Sequence, residues 1–179
     1  MFRRVVLKGG NGEPTAFSDN VVREAVVRSG GHELTLIWGS DVEPTLGTGG
    51  GLDSGELRDF FPALGGSRFY LQTLPPGYGI DPSRGPDMDY EAIEPVTVDS
   101  SSLRSTMYMS NGFHYTNTVD CGVIISGAVW LIGPKGQESE LTAGTAFIDM
   151  GAPHAWENRS TEPCTFALFI VGANRVDPE

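Results

Sequence analysis

What most constrains this chain is its rhythm. Apolar runs of four to eight residues recur, and each is cut off by a turn signal before a helical period can establish itself. Val21–Val27, Glu33–Trp38 and Arg68–Leu74 occupy the first half. Phe113–Thr118, Gly122–Ser126, Ala128–Ile132, Thr145–Asp149, Ala155–Asn158 and Cys164–Val171 occupy the second. Between them stand Ser126-Gly127, Gly133-Pro134-Lys135-Gly136, Ala143-Gly144, Gly151-Ala152-Pro153 and Thr161-Glu162-Pro163. Short strands at regular spacing with such punctuation predict an all-β antiparallel sandwich or barrel. The 24 glycines in 179 residues fit this reading, because tight turns need backbone that tolerates positive φ. The best helix candidate is short, Ser54–Phe61, with Ser54 as its N-cap.

Composition narrows the partners. Twelve basic against 23 acidic residues leave a net charge of −11. Nucleic acid and anionic membrane both require a basic face, so neither is expected. No stretch approaches the roughly 18 apolar residues of a membrane helix. No apolar run of signal-peptide length precedes Gly9-Gly10, so a cytoplasmic protein is expected. Cys121 and Cys164 lie in apolar segments and are expected as buried free thiols. The Gly-rich piece Gly47–Leu52 lies between no strand and amphipathic helix, so it predicts no phosphate loop. Pro75–Pro95, rich in proline and carboxylates, is either a solvated acidic loop or a lid over a barrel mouth.

With three histidines in the chain, their positions matter. His32 follows Gly30-Gly31 and reads as a turn residue. The other two stand in ordered frames. The first is His114-x-Thr116, three residues, Asp120, six residues, Gly127. The second is Gly151-x-x-His154-x-x-x-Asn158. This pair of frames resembles the two motifs of the cupin superfamily. It is closest to a bacterial and fungal subgroup carrying His-x-Thr-x-Thr-x-Asp and Gly-x-x-His-Ala-Trp, here His114, Thr116, Thr118, Asp120 and His154-Ala155-Trp156. Three departures stand out. Thr116 takes the place of a usual second histidine, Cys121 that of a tyrosine, and Asp149 that of a proline. The resemblance implies an antiparallel cupin (jelly-roll) β-barrel, read here as residues 66–179, with residues 1–65 an N-terminal arm whose strands pack on it. It also implies a homodimer and one divalent metal (Zn, Fe, Mn or Ni) held by His114, His154 and Asp120.

Strand geometry gives an independent argument. Residues i and i+2 share a face, so His114, Thr116 and Thr118 point one way, with Asp120 on the same parity if the strand continues. His154 shares a face with Trp156 and Asn158. Burying two imidazoles and a carboxylate is costly unless they bind metal, water or substrate. Two histidines and one carboxylate leave open positions on a metal. His114, His154 and Asp120 are therefore the candidate catalytic residues and candidate metal ligands. Thr116, Tyr70, Trp130, Phe147 and Trp156 are the candidate pocket residues, with core packing the competing role of Tyr70, Trp130 and Trp156. Glu157, on the opposite face from Trp156, is expected in solvent. Asp149 is either a strand-end cap or a pocket acid.

Three functions remain open. One is a metal-dependent, lyase-like enzyme that decarboxylates, dehydrates or isomerises a carbonyl or carboxylate compound, with an Fe(II) dioxygenase as a variant. Another is a metal-free acid–base enzyme using the same histidines. The last is a non-catalytic module holding a small ligand.

Overall fold

The computed structural model describes residues 2–10, 13–22, 26–27, 31–45, 59–84, 95–96 and 106–176. The described chain is almost entirely antiparallel β-structure, as the rhythm of short runs predicts. Its elements are β1 (Phe2–Gly10), β2 (Glu13–Val22), β3 (Val26–Val27), β4 (Glu33–Ser40), β5 (Ser67–Leu74), β6 (Pro95–Val96), β7 (Thr106–Met109), a 3-10 turn (Ser110–Gly112), β8 (His114–Thr116), β9 (Thr118–Ser126), β10 (Ala128–Ile132), β11 (Glu138–Thr142), β12 (Ala146–Asp149), β13 (Ala155–Glu157) and β14 (Cys164–Gly172).

One sheet has six strands in the order β12-β9-β14-β5-β4-β3. Two three-stranded sheets, β6-β7-β8 and β11-β10-β13, are joined where His114 and His154 form an antiparallel bridge. β1 and β2 make a separate hairpin, tied to β4 by a bond from Arg4 Nη1 to the Ile37 carbonyl of 2.9 Å. The position 65/66, where the sequence suggests an arm giving way to a barrel, falls between β4 and β5. These are hydrogen-bonded neighbours, so β4 is part of the main sheet.

Alternation explains the core. In β9 and β14 the even-numbered residues face inward and bury Ile124, Cys164, Phe166, Leu168 and Ile170. They meet Leu34, Leu36, Tyr70 and Leu74 of β4 and β5, and Val129 and Leu141 of the second layer. Each such aliphatic or aromatic side chain contributes about 1.5–3 kcal/mol by leaving water. Arg68 is buried beside this core. Its guanidinium is satisfied by the carbonyls of Ser40, Ser67 and Asp59 and by the Asp41 carboxylate.

Several expectations change. Residues 54–58 of the candidate helix lie outside the described residues, and Asp59–Phe61 is not helical. Phe61 instead plugs the core and Phe60 stacks on Tyr70. The strand expected over Val21–Val27 is divided between β2 and β3, with 23–25 outside the described residues. β11 was not foreseen, because Glu138–Thr142 exposes all but Leu141 and carries little apolar signal. Both cysteines are free, but Cys121 is exposed, since odd positions of β9 face outward. Cys164 is buried, and burial pushes its thiol up to about 11. Among the described residues no helix is long and apolar enough to cross a membrane.

Gly172, the last residue of β14, shows how closely the layers approach. A Cβ there would lie 1.9 Å from the Ala63 carbonyl oxygen, which is backbone and cannot swing away. Gly172→Ala is expected to cost about 2–4 kcal/mol by forcing the 59–66 segment off the sheet. Thermal unfolding should show this as a lower midpoint with unchanged β-content.

Candidate acid–base site

The site forms at a corner. β8 and β9 are nearly continuous, but the chain bends at Asn117 and passes from one layer to the other. β12 and β13 make the same passage through the turn at 150–153. Either side of the corner is held by cross-strand pairing. Asp149 stands opposite Asp120 at the end of the β12–β9 pairing. His114 stands opposite His154, each backbone N–H donating to the other's carbonyl at 2.9 Å. A directly opposed pair puts both side chains on one face. The two imidazole centroids are 4.3 Å apart, and the His154 ring meets the Trp156 ring edge-on at 5.7 Å.

Asp149 settles its own open question by filling both roles. Its Oδ1 accepts from the Ala152 N–H at 2.9 Å, capping the turn. Its Oδ2 lies 2.9 Å from His154 Nδ1. The His154 Nδ1–H is also aligned on the Ala152 carbonyl at 2.8 Å, which leaves Asp149 Oδ2 buried with an ionic contact but no aligned hydrogen bond. On the other side, Thr116 and Thr118 hydroxyls are 2.6 Å apart, and Thr118 donates to Asp120 Oδ1 at 2.6 Å. Thr116, Thr118, Asp120, Asp149 and His154 are all buried, while His114 is half-buried.

These environments pull the titratable groups apart. Burial alone would lower His154, but the Asp149 carboxylate outweighs it and holds the imidazole above its ordinary value. Asp149 is correspondingly held below its ordinary value: burial works against this, and the contact with the His154 imidazole overrides it. His114 is pushed down to about 3, first by burial and then by the charge of His154. Its ring is bonded to the Gly112 backbone. Asp120 is pushed up to about 6, chiefly by burial, with Asp149 adding to the rise and the Thr118 bond opposing it.

Two arginines brace the corner from outside. Arg84 donates from Nε to the Asn111 carbonyl at 2.7 Å, and from Nη1 to the Gly79 carbonyl at 2.9 Å and to Glu157 Oε1 at 2.7 Å. Arg175 donates from Nη2 to the carbonyls of Thr116 at 2.9 Å and Gly151 at 2.6 Å. Each arginine therefore ties the His114 segment to the His154 segment, on opposite sides of the histidine bridge. Their guanidinium carbons lie 5.5 Å from the Phe113 ring centre and 4.8 Å from that of Tyr115, the two residues flanking His114.

The pocket candidates divide. Trp156 and Phe147 pack together at 5.0 Å on the inner face. Thr116 is inward and part of the hydroxyl chain. Trp130 is not beside them. It pairs with Glu157 whereas Leu131 pairs with Trp156, so parity puts Trp130 on the outer face, under the guanidinium of Arg159 at 5.6 Å. Tyr70 is a core residue whose hydroxyl donates to the Phe60 carbonyl. Glu157 faces outward as parity requires but is buried rather than solvated, because Arg84 and Arg159 cover it. Asn158 is wholly buried and structural, its amide donating to the carbonyls of Leu74 and Glu162. Residues 75–84 lie against the end of β13, through Gly77 N–H to the Asn158 carbonyl and Asn158 N–H to the Tyr78 carbonyl, both 2.9 Å. The rest of the suggested lid, 85–94, lies outside the described residues.

The implied metal set does not assemble. His114 and His154 are adjacent, but among the described residues no three His, Cys, Asp or Glu side chains converge as a metal site. Thr116 brings a hydroxyl committed to Thr118, and Asp149 is engaged by His154 and the turn. The donors present fit proton exchange better than a three-ligand cation site.

No family model matches the chain, and no curated protein matches it. Similar solved structures include a Cupin 2 conserved barrel domain protein from Salinispora arenicola, 8% identical over 84% of this chain and 82% of that one, with a TM-score of 0.44. A sugar phosphate isomerase of the cupin superfamily from Silicibacter pomeroyi is 16% identical over 83% and 69%, with a TM-score of 0.41. The Cupin_2 domain of an XRE family transcriptional regulator from Enterobacter cloacae is 18% identical over 60% and 83%, with a TM-score of 0.36. These structural neighbours are cupin-fold proteins.

Two measurements follow. Asp149→Asn should lower the His154 titration midpoint, read from the imidazole proton resonances, because the carboxylate that outweighs burial is gone. Asp120→Asn should stabilise the protein at pH 8 and not at pH 4. A carboxyl raised to about 6 in the native state costs stability only when ionised, and the cost disappears as pH falls through that value. The gain at pH 8 should be of the order of 3 kcal/mol.

Proposed function

We propose that this chain is a small-molecule enzyme that works by proton transfer, with Asp120 as base, His154 as acid and His114 as an orienting group. The observation that carries this reading is the geometry of one corner: the His154 imidazole 2.9 Å from a buried Asp149 oxygen, the His114 ring 4.3 Å from it, and the buried Asp120 carboxyl on the Thr118 hydroxyl and opposite Asp149. Paired groups whose environments push them apart divide naturally into acid and base.

The chemistry follows from those states. At neutral pH Asp120 is ionised and can take a proton from carbon beside a carbonyl. His154 can give one to an oxygen of the same molecule. Returned to a neighbouring carbon, the proton gives an isomerisation; delivered to a departing hydroxyl, it gives a dehydration with loss of water. His114, its ring bonded to the Gly112 backbone, would orient the substrate beside His154. Thr118 fixes Asp120 through its hydroxyl, and Thr116 fixes Thr118. Positioned proton transfer of this kind contributes about 10²–10⁴-fold to a rate.

The test uses deuterium. Small hydroxyketones and keto acids incubated with the protein in D2O should gain deuterium at the carbon beside the carbonyl. Asp120→Asn and His154→Gln should each reduce the rate about 10²–10⁴-fold. The rate should rise through about pH 6 as Asp120 ionises and fall at a pH above the ordinary histidine range as His154 discharges. Chelator-treated protein should retain the activity. Exchange that disappears with chelation and returns with one divalent cation would replace this reading with the metal-dependent one. Tight ligand binding without exchange in any compound would favour the non-catalytic module.

A further inference from the structure

His114 follows a turn that most residues would resist. Asn111 has φ 58° and ψ 32°, and Gly112 has φ 74°, so two successive residues are left-handed. Asparagine and glycine adopt this conformation at least cost. The His114 ring is bonded to the Gly112 backbone, and the bond favours the protonated ring. The imidazole N–H is therefore the donor and the Gly112 carbonyl the acceptor. How the ring is oriented depends on how this turn is held.

Arg84 holds it. Its Nε donates to the Asn111 carbonyl at 2.7 Å. Its Nη2 takes the space beside Gly112, where an added Cβ would lie only 2.2 Å away. Its guanidinium carbon lies 5.5 Å from the Phe113 ring centre. One planar group thus touches Asn111, Gly112 and Phe113 in turn. The group is itself fixed. Nη1 donates to the Gly79 carbonyl at 2.9 Å and to Glu157 Oε1 at 2.7 Å, and the Arg84 and Glu157 side chains are only 5% and 4% exposed. The other Glu157 oxygen accepts from Arg159 Nε at 2.6 Å, and Arg159 Nη2 donates to Glu138 Oε2 at 2.8 Å. Gly79 is pressed on β13, since a Cβ there would lie 2.1 Å from the Trp156 carbonyl oxygen. Residues 77–84 therefore form a strap that is anchored on β13 and ends on the His114 turn.

We propose that Arg84 is a positioning residue: it sets the orientation of the His114 ring by clamping the Asn111–Gly112 turn to β13. The inference rests on the reading of His114 as the orienting group of a proton-transfer site, and it names what holds that group beside His154. A guanidinium suits the task and an ammonium does not. The rigid fork serves the Asn111 carbonyl, the Gly79 carbonyl and Glu157 together, whereas lysine brings a compact charge on a flexible stem. The other arginines act elsewhere. Arg175 grips the carbonyls of Thr116 and Gly151, on the far side of His114. Arg159 shares Glu157 with Arg84 but reaches toward β11.

The test reads the ring directly. In isotope-labelled protein the His114 imidazole N–H, kept from water by the Gly112 carbonyl, should give a proton resonance that is assigned by its loss in His114→Gln. Arg84→Lys keeps a cation on Glu157 and should leave the chain folded by circular dichroism, yet the resonance should be lost to solvent exchange. The double variant Arg84→Met with Glu157→Gln removes the pair without leaving a buried charge and should lose it as well, so the result does not hang on the fold of Arg84→Lys. Arg159→Gln takes the second cation from Glu157 without touching the turn. It should lower the melting temperature and leave the resonance in place. Deuterium exchange into hydroxyacetone should fall in Arg84→Lys and not in Arg159→Gln. A resonance kept when Arg84 is replaced, a resonance lost in Arg159→Gln, or wild-type exchange in Arg84→Lys would overturn the proposal. A wild type that exchanges no deuterium would remove the proton-transfer reading, while the ring resonances would still decide whether Arg84 positions His114.

Discussion

Two hydrogen bonds hold this structure's chemistry together: the reciprocal pair between the backbones of His114 and His154. Among the described residues they are the backbone pairing that joins the layer β6-β7-β8 to β13-β10-β11. With them, two imidazoles are brought face to face at a fixed separation, because a directly opposed antiparallel pair leaves its side chains nowhere else to point. Structure and site are thus one constraint. The arginines on either side serve it as well: Arg175 grips the backbones of Thr116 and Gly151, and Arg84 the backbone of Asn111 and the carboxylate of Glu157.

The electrostatic character of the corner comes from uneven compensation of burial. All four titratable groups lose water. His154 and Asp149 recover by pairing with each other, so both keep their charge. At His114 burial and the charge of His154 outweigh the pull of Asp149, and its imidazole is pushed down to about 3. Asp120 has one hydroxyl donor and a second carboxylate opposite, which is too little to keep its proton off at mildly acidic pH.

The two faces of β9 and β14 carry different consequences of the same alternation. Even positions make the core and, at 116, 118 and 120, the polar chain that leads to the site. Odd positions make the uncharged outer face. A one-residue slip would exchange them, placing Asp120 in solvent and Cys121 among the histidines. The bulge between Thr165 and Phe166 is accommodated at the far end of the pairing, away from the site.

Much of this was legible in the sequence. Strand rhythm and turn glycines determined the antiparallel β-class, and strand parity determined that His114, Thr116, Thr118 and Asp120 share a face. Of the positions in the motif frame, the fold brings His114, Thr116, Asp120 and His154 to one corner. What the sequence could not contain was anything depending on pairing between distant strands. Asp149 opposes Asp120 only through the register of β12 on β9, and its contact with His154 depends on how the turn at 150–153 carries the chain from one layer to the other. Trp130 and Glu157 were misplaced for the same reason: parity says which way a side chain points, while only the packed structure says what covers it there. The sequence by itself determined which residues could meet, through local period and spacing. The tertiary structure decided which of them do, because proximity and burial are set by long-range pairing that no local pattern encodes.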